Sequence, residues 1–225
     1  MPHDPRLARR AAPTGAIPEK EVLTYRLVAA LAAVAVLAFG LVYRAALPGA
    51  VDPWLYRFVV SAACLAVVGL SYRPRVPLLL RGMYTLFGVI TGWVLWLLLL
   101  NDFAPEYAFG LAVICAIICT LFRSTRALAV YGACTLAGVI AVAAAVPAPR
   151  VSPLLFGSYL VVILVLFFVV VRNRLRAERE LAASEQRYAL AALGAHDGLW
   201  DWDLRAGTVY FSPRWTEIVG LAEGE

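Results

Sequence analysis

The fold is decided by the stretch Leu154–Tyr188, which reads LLFGSYLVVILVLFFVVV over residues 154–171 and RNRLRAERELAASEQRY over residues 172–188. The first part has no charge, and as an α-helix of about 27 Å it would cross the apolar core of a bilayer. No proline or glycine lies between Ser158 and Tyr188, so nothing local ends the helix. We predict one continuous helix; the alternative is a last membrane helix with a frayed charged tail.

The composition places the chain among integral membrane proteins. Of the 225 residues 62% are hydrophobic and 16% are charged, whereas an ordinary soluble domain has about 25% charged residues. The net charge of +5 does not indicate a nucleic-acid partner, because the basic residues flank apolar runs. The four cysteines lie inside apolar runs, which disfavours a disulfide framework.

Six apolar runs separated by short, proline-bearing connections predict a bundle of six transmembrane helices. The fourth run is the shortest. The runs are Leu27–Tyr43, Leu55–Tyr72, Met83–Leu100, Tyr107–Phe122, Ala127–Val146 and Leu154–Val171.

The basic residues predict the orientation of these six spans, since cytoplasmic loops are rich in Arg and Lys. With both termini cytoplasmic, fourteen basic residues up to Arg179 lie inside, and three lie outside: Arg44, Arg57 and Arg150. We therefore expect a multi-pass membrane protein with both termini cytoplasmic and the lipid bilayer as its surroundings. Tyr43 and Tyr107 lie at the ends of runs, as interfacial aromatic residues do.

The centres of the six runs hold no ionisable group of the kind that an ion or proton pathway needs. We expect the charged residues at the edges of the runs to reach water, namely Arg57, Arg81, Asp102 and Glu106. This pattern disfavours a pump or a proton-coupled transporter.

Two sets of residues within the runs have a functional and a structural interpretation. Cys115 and Cys119 are one helical turn apart and form a possible soft-metal or redox pair, although buried cysteines usually act as small apolar residues. Thr91, Trp93 and Trp96 are candidates to line a small-molecule pocket, although such residues more often face lipid or a neighbouring helix.

Gly88 and Gly92 form a GxxxG pattern in the third run, which lets another helix approach closely. The pattern indicates either a dimer contact or packing inside the six-helix bundle. The second interpretation is favoured, because a bundle of many spans has many internal contacts.

A weak heptad follows the last apolar run, at Arg174, Ala177, Leu181, Ser184, Tyr188 and Ala191. We expect Leu175, Leu181 and Tyr188 to be the main apolar residues of this signalling helix. Leu181 and Tyr188 are seven residues apart and share one face. The heptad predicts two such helices side by side in a homodimer. The alternative is a single amphipathic helix with ion pairs such as Arg174 with Glu178.

After Gly194 the pattern changes to the alternation of a β-strand, in which Trp200, Trp202 and Leu204 alternate with aspartates. Residues 205–207 (RAG) suit a hairpin turn, and residues 208–212 (TVYFS) suit the returning strand. Pro213 is expected to open a short helix that ends at Gly220. Two strands and one helix cannot bury a core alone, so a larger domain is expected.

The last 42 residues or so resemble the opening of a bacterial PAS domain. The resemblance rests on four segments in order: Ser184–Tyr188, Asp197–Asp203, Tyr210–Trp215 and Val219–Gly220. It implies structural roles for the aromatic and proline positions of this motif: Trp200, Trp202, Phe211, Pro213 and Trp215.

The resemblance implies an α+β domain of which the chain holds only the start, so no cofactor residue is assigned. No cofactor is expected in this chain, and that of a complete PAS domain is unknown. His196 is expected to cap or face solvent rather than to bind haem. PAS domains that follow a multi-span domain usually occur in membrane sensors, so the resemblance implies a sensor of a bacterial inner membrane. The output of such sensors is commonly a histidine kinase of a two-component system, or a diguanylate cyclase with or without a cyclic-di-GMP phosphodiesterase.

The sequence therefore predicts a mainly α membrane receptor without a catalytic motif of its own. Its parts are a disordered cytoplasmic segment (1–24), a membrane sensory domain (25–171), a signalling helix (172–193) and the start of a PAS domain (194–225). The expected partner, besides a second copy, is a downstream output domain or protein. The alternative is a small transporter or channel with a regulatory cytoplasmic tail.

Overall fold

The computed structural model describes residues 19–72, 76–194, 198, 200–204 and 206–220. The described part is mainly helical, as the apolar runs predict. Its elements are α1 (Glu19–Ala46), α2 (Trp54–Leu70), α3 (Val76–Leu100), α4 (Pro105–Thr120), α5 (Thr125–Ala145), α6 (Pro153–Gly194), β1 (Trp200–Asp203), β2 (Thr208–Phe211) and α7 (Pro213–Val219).

Four of these helices are long and apolar enough to cross a membrane: α1, α3, α5 and α6. The helices α2 and α4 are apolar but have only 17 and 16 residues. At about 1.5 Å per residue they are roughly 24–26 Å long, which is less than the ~30 Å core of a bilayer. Each of the six apolar runs forms a helix, but four of these helices, and not the predicted six, are long enough to be candidate spans.

Hydrogen bonds join the ends of several helices at what we call the start end of the bundle, where α1 begins. The Tyr25 hydroxyl donates to the carbonyl of Leu121 just after α4, at 3.1 Å. Arg26 Nε donates to Ser71 Oγ just after α2, at 3.0 Å. Glu21 forms a salt bridge of 2.8 Å with Arg123, just before α5. The start end of the bundle therefore contains the start of α1, the ends of α2 and α4, and the start of α5.

The opposite end, which we call the far end, is joined in the same way. The Tyr43 hydroxyl donates to the carbonyl of Glu106 at the start of α4, at 3.1 Å. Asn101, just after α3, accepts from the amide of Val51 at 2.8 Å and donates to its carbonyl at 3.0 Å. The Arg150 amide donates to the Asp102 carbonyl at 2.9 Å. The short helices α2 and α4 thus run between the same two ends as their longer neighbours.

The core of the bundle lies along α3, which packs against α2, α4 and α5. The fully buried side chains of α2, α3, α4 and α6 include Cys64, Leu98, Leu111, Cys115 and Leu160. Small residues allow close approach, since a Cβ at Gly132 of α5 would lie 3.5 Å from Leu164 of α6. Many apolar side chains on the outer surface are exposed, as expected of helices that face lipid.

The helix α6 is continuous over 42 residues, from Pro153 to Gly194, so the prediction of one uninterrupted helix is confirmed. Its charged half carries the predicted ion pair, with 3.5 Å between Arg174 Nε and Glu178 Oε1. The chain divides after Val171 into two compact units, so α6 contributes its apolar half to the first and its charged half to the second.

The second unit contains the predicted hairpin. The strands β1 and β2 are antiparallel, with Trp200 opposite Phe211 and Asp203 opposite Thr208. Gly207 in the turn has a φ of 67°, a left-handed conformation that favours glycine. The Ser212 hydroxyl caps α7 by accepting from the Trp215 amide at 3.2 Å, and Gly220 ends the helix with a φ of 78°. The described sheet has two strands and is not a complete PAS sheet.

The first helix begins earlier than the sequence predicts. Residues 19–24, which were assigned to a disordered segment, form the first turns of α1. The contacts of Glu21 and Tyr25 with the end of α4 and the start of α5 explain the extension, because they fix these turns against the bundle. Residues 1–18 lie outside the described residues.

Candidate functional site

The most unusual feature of the bundle is a buried arginine at its far end. Arg57, in the first turn of α2, is 2% exposed. Its guanidinium forms a salt bridge with the Asp52 carboxylate, with 2.9 Å from Nε to each carboxylate oxygen, and it also donates to the carbonyl of Val36 in α1. The rings of Tyr43 and Trp93 lie 5.8 and 5.1 Å from the guanidinium carbon. Groups from α1, α2 and α3 therefore hold this side chain.

The prediction that Arg57 reaches water at the edge of its run is wrong. Gly40 in α1 provides the space that Arg57 fills, since a Cβ there would lie 2.6 Å from Arg57 Cδ and 2.9 Å from Nε. The desolvated charge is tolerated because Asp52 neutralises it and the Val36 carbonyl accepts a further hydrogen bond.

A cavity of about 450 Å³ lies beside Arg57, between α1, α3 and α4. Its size is within the range of small-molecule sites in proteins. The lining is almost wholly apolar and extends from Val28 to Tyr43 along α1, a distance of about 22 Å at 1.5 Å per residue. It reaches Leu121 at the start end of the bundle and Tyr107 at the far end. The cavity is therefore elongated and runs parallel to the helices.

The polar side chains that line the cavity are grouped at its far end: Tyr43, Arg57, Trp93 and Tyr107. Tyr107, in the first turn of α4, is 3% exposed. Among the described residues, the Tyr107 hydroxyl and the Trp93 Nε1 are buried without a hydrogen-bond partner. Because such groups are costly to bury unpaired, they mark this end as a place where a further polar group would be stabilised.

The cavity opens between α1 and α4. These helices are joined by hydrogen bonds at both ends, from Tyr25 to Leu121 and from Tyr43 to Glu106. Between those two bonds, exposed apolar side chains of both helices line the cavity: Leu31, Phe39, Phe109, Val113 and Ile117. We call this opening the lateral window. In a membrane it would face the acyl chains of the lipids.

Other predicted membrane residues have structural contacts. Of the three candidates for a pocket, Trp93 lines the cavity, whereas Trp96 packs on Tyr56 at 4.6 Å between ring centroids. The Thr91 hydroxyl shares a 2.8 Å hydrogen bond with Tyr131, whose hydroxyl also contacts Cys115 Sγ at 3.5 Å. Cys115 and Cys119 are fully buried free thiols. Nowhere in the described ranges do three His, Cys, Asp or Glu residues cluster closely enough to hold a metal ion.

The GxxxG face of α3 is not used by the bundle. Gly88 and Gly92 are exposed, and a Cβ at either position would meet no heavy atom within 4 Å. The interpretation that these glycines pack inside the bundle therefore fails for the described residues. Their role as a dimer contact stays a prediction.

The predicted positions of the signalling helix differ in burial. Leu175 is 8% exposed, whereas Leu181 and Tyr188 are 63% and 75% exposed. The two exposed residues lie seven apart on one face of the charged half of α6. An exposed apolar pair at heptad spacing is compatible with a helical partner, which nothing in the single chain tests.

The aromatic residues of the hairpin unit are only partly buried. Trp200 and Trp202 are 59% and 55% exposed, and Phe211 stacks on Trp215 with 4.1 Å between ring centroids. A Cβ at Gly198 would lie 2.6 Å from Trp215 Cα, so the chain before β1 passes directly against α7. Pro213 occupies the first position of α7. His196 lies outside the described residues.

Comparison with known proteins gives one informative similarity. A segment of 47 residues, 21% of the chain, is 43% identical to part of hybrid signal transduction histidine kinase A of Dictyostelium discoideum. The segment spans 2% of that protein. No protein-family model and no solved structure matches the chain. The similarity is therefore to a small part of a signalling protein.

Sequence reasoning named Trp93 as a pocket candidate but missed the buried Arg57 pair and Tyr107. A charged residue in the first turn of an apolar helix with an aspartate five residues earlier was a signal for a buried pair. Gly40, inside α1, was a second signal, because a helix-interior glycine often allows close approach of a neighbour. The unpaired polar groups of Trp93 and Tyr107 had no sequence signal, since whether a buried group finds a partner depends on how the helices pack.

Proposed function

We propose that the protein is a membrane-bound sensory receptor, or part of one, that relays a signal from its membrane bundle through α6 to a PAS-like unit and an output domain. The observation that carries this proposal is the continuity of α6, whose apolar half belongs to the membrane unit and whose charged half belongs to the unit with the hairpin. An uninterrupted helix transmits rotation or a shift along its axis, which a flexible linker loses. The similarity to part of a histidine kinase supports a role in signal transduction.

The proposal includes six spans in a bacterial inner membrane with both termini cytoplasmic. Its support is that α2 and α4 run between the same two ends of the bundle as α1 and α3. The start end then carries Arg26, Arg123 and Arg126, as the excess of basic residues on the cytoplasmic side requires. Buried apolar residues extend α4 beyond both of its ends, Phe103 before it and Phe122 after it.

The PAS assignment of the second unit is supported by the order of its elements. A helix, an antiparallel hairpin and a short capped helix follow one another as the resemblance implies. We further propose that the receptor is a homodimer in which the charged halves of two α6 helices pair through Leu181 and Tyr188. A histidine kinase or a cyclic-di-GMP enzyme would supply the output.

A chimaera tests the proposed function. Residues 1–188 are joined in helical register to the dimerisation and catalytic domains of a soluble histidine kinase. Autophosphorylation is then measured in vesicles whose lipid bilayers differ in thickness. Thickness changes the tilt and position of spanning helices, so we expect it to change kinase output. In the matched chimaera, a Gly-Ser linker of equal length replaces residues 172–188, and we expect it not to respond. A response of equal size in both chimaeras, or in neither, would contradict the proposal.

A second candidate, a small transporter or channel with a regulatory tail, is favoured by the buried Arg57, because intramembrane charges often mark ion or solute pathways. Against it, Asp52 and Val36 already hold the guanidinium, and no second charged side chain is buried among the described residues. Solute flux in liposomes that persists after deletion of residues 172–225 would support the transporter instead.

A further inference from the structure

We infer that the cavity beside Arg57 is a binding site for an uncharged amphiphile with a long apolar body and a hydrogen-bond acceptor, such as a carbonyl group, at one end. The ligand would enter from the bilayer through the lateral window. Its body would lie along α1, and its acceptor would lie at the far end, near Trp93 and Tyr107. That this ligand is also the sensed signal rests on the proposed function, whereas the binding site itself does not.

The shape and lining of the cavity define the apolar body. The walls from Val28 to Val36 and from Ile114 to Leu121 are made of apolar side chains. A polar group anywhere along this length would be desolvated without a partner, which is costly. An elongated space of about 450 Å³ that extends for some 22 Å along the helix axis favours a single chain over a compact ring system.

The polar end defines the head group. An indole N–H can only donate, so the group that satisfies Trp93 Nε1 must be an acceptor, and the Tyr107 hydroxyl can donate to the same group. The charge at this end is already balanced, because the Asp52 carboxylate pairs with Arg57. A carboxylate head would bring a second negative charge towards Asp52 without a free cation to meet it. A neutral acceptor therefore fits best.

The lateral window provides the path of entry. It is bordered by the two tyrosine hydrogen bonds that join α1 and α4, and its rim consists of exposed apolar residues such as Phe39 and Phe109. Tyr43 lies at the far-end border, where its ring stacks on that of Tyr107 with 5.1 Å between centroids. Occupancy of the polar end would therefore act directly on a contact that holds α1 to α4.

Photolabelling of the purified chain in nanodiscs tests the inference. The probe is the methyl ester of a saturated fatty acid with a diazirine at mid-chain, and the comparison probes are the corresponding hydrocarbon, the free acid and a diazirine phosphatidylcholine. We expect saturable labelling of cavity-lining residues in α1 and α4 by the ester, displaced by unlabelled ester. The hydrocarbon has no acceptor, so we expect it to label about five- to tenfold more weakly than the ester. This difference is the effect of one or two hydrogen bonds.

Two conservative variants keep the test specific. Trp93→Phe and Tyr107→Phe each remove a polar group while retaining an aromatic ring, and we expect each to weaken ester labelling about threefold, as loss of one hydrogen bond does. Hydrocarbon labelling should be unchanged in both, which also reports that the cavity has kept its fold. Trp96→Phe and Tyr159→Phe are the matched controls, because neither residue lines the cavity.

Four results would overturn the inference. Equal labelling by ester and hydrocarbon, or no effect of either variant, would show that the polar end does not recognise an acceptor. Stronger labelling by the free acid would indicate an anion site. Labelling by phosphatidylcholine alone, without displacement by the ester, would show that ordinary membrane lipid fills the cavity. None of these results bears on the chimaera experiment, so the two proposals fail separately.

Discussion

The guanidinium of Arg57 is buried against the carboxylate of Asp52 at the end of a membrane bundle, with the rings of Tyr43 and Trp93 within 6 Å of it. Three helices and the loop between two of them hold this ion pair. The pair fixes the polar end of the cavity, since the rings of Tyr43 and Trp93 line that end.

Removal of one partner of this pair should destabilise the bundle. We expect Asp52→Asn or Arg57→Met to lower the free energy of unfolding by about 3–5 kcal/mol, because each leaves a desolvated charge or its partner unpaired. Thermal unfolding in detergent micelles measures the loss. The control is Arg150→Gln, which breaks an exposed pair with Asp102 and should cost at most about 1 kcal/mol. Equal effects at Arg57 and Arg150 would contradict the buried pair.

Gly40 should be intolerant of even a methyl group. In Gly40→Ala the new Cβ would overlap the Arg57 side chain, and we expect a loss of about 1–3 kcal/mol from overpacking. In Gly69→Ala of α2 the Cβ meets no heavy atom within 4 Å, so the higher helix propensity of alanine should leave stability unchanged or raised by up to about 1 kcal/mol. A comparison of the two melting curves checks the prediction, and equal shifts would count against the packing described for Arg57.

The proposed six-span topology can be checked with fusions. A reporter that is active only outside the cytoplasm should be silent when fused after Arg179 and active when fused near Asp102. The first site follows the last span, and the second lies in the turn between α3 and α4 at the far end. The opposite pattern would show that α2 does not cross the membrane or that the orientation is reversed.

The hairpin unit should exchange its amide hydrogens rapidly. Trp200 and Trp202 are more than half exposed, so most of the stabilisation from burying them, about 1.5–3 kcal/mol for each large apolar side chain, is not realised in this chain. We expect fast exchange over residues 198–220 and slow exchange in the bundle. Slow exchange over β1 would indicate that the strand has found a partner surface, such as a second copy.

The local pattern of the chain predicts most elements but not the site. Apolar runs define the six helices, the lack of proline and glycine after Ser158 defines the length of α6, and alternation around Trp200 and Trp202 defines the hairpin. These features depend on neighbouring residues only. The site around Arg57 depends on distant residues, because Gly40, Asp52 and Trp93 come together there only when α1, α2 and α3 pack.

The turn between α3 and α4 shows the same limit. Asp102 and Phe103 both have positive φ angles, 53° and 56°, which non-glycine residues rarely adopt. Phe103 is fully buried and packs edge-on against Phe156 of α6 at 5.6 Å between centroids. Burial in the tertiary structure compensates for the local strain, and no short-range pattern of residues contains that information.

The central claim is that α6 transmits the state of the membrane bundle as a rigid helix. Four residues inserted after Ala183 rotate everything downstream by about 40°, whereas seven residues rotate it by only about −20° at 3.6 residues per turn. Kinase output of the chimaera built on residues 1–188 is the direct measurement. We predict that the four-residue insertion disturbs the response to bilayer thickness much more than the seven-residue insertion does. Unchanged output with both insertions would contradict the claim and show that α6 is only a tether.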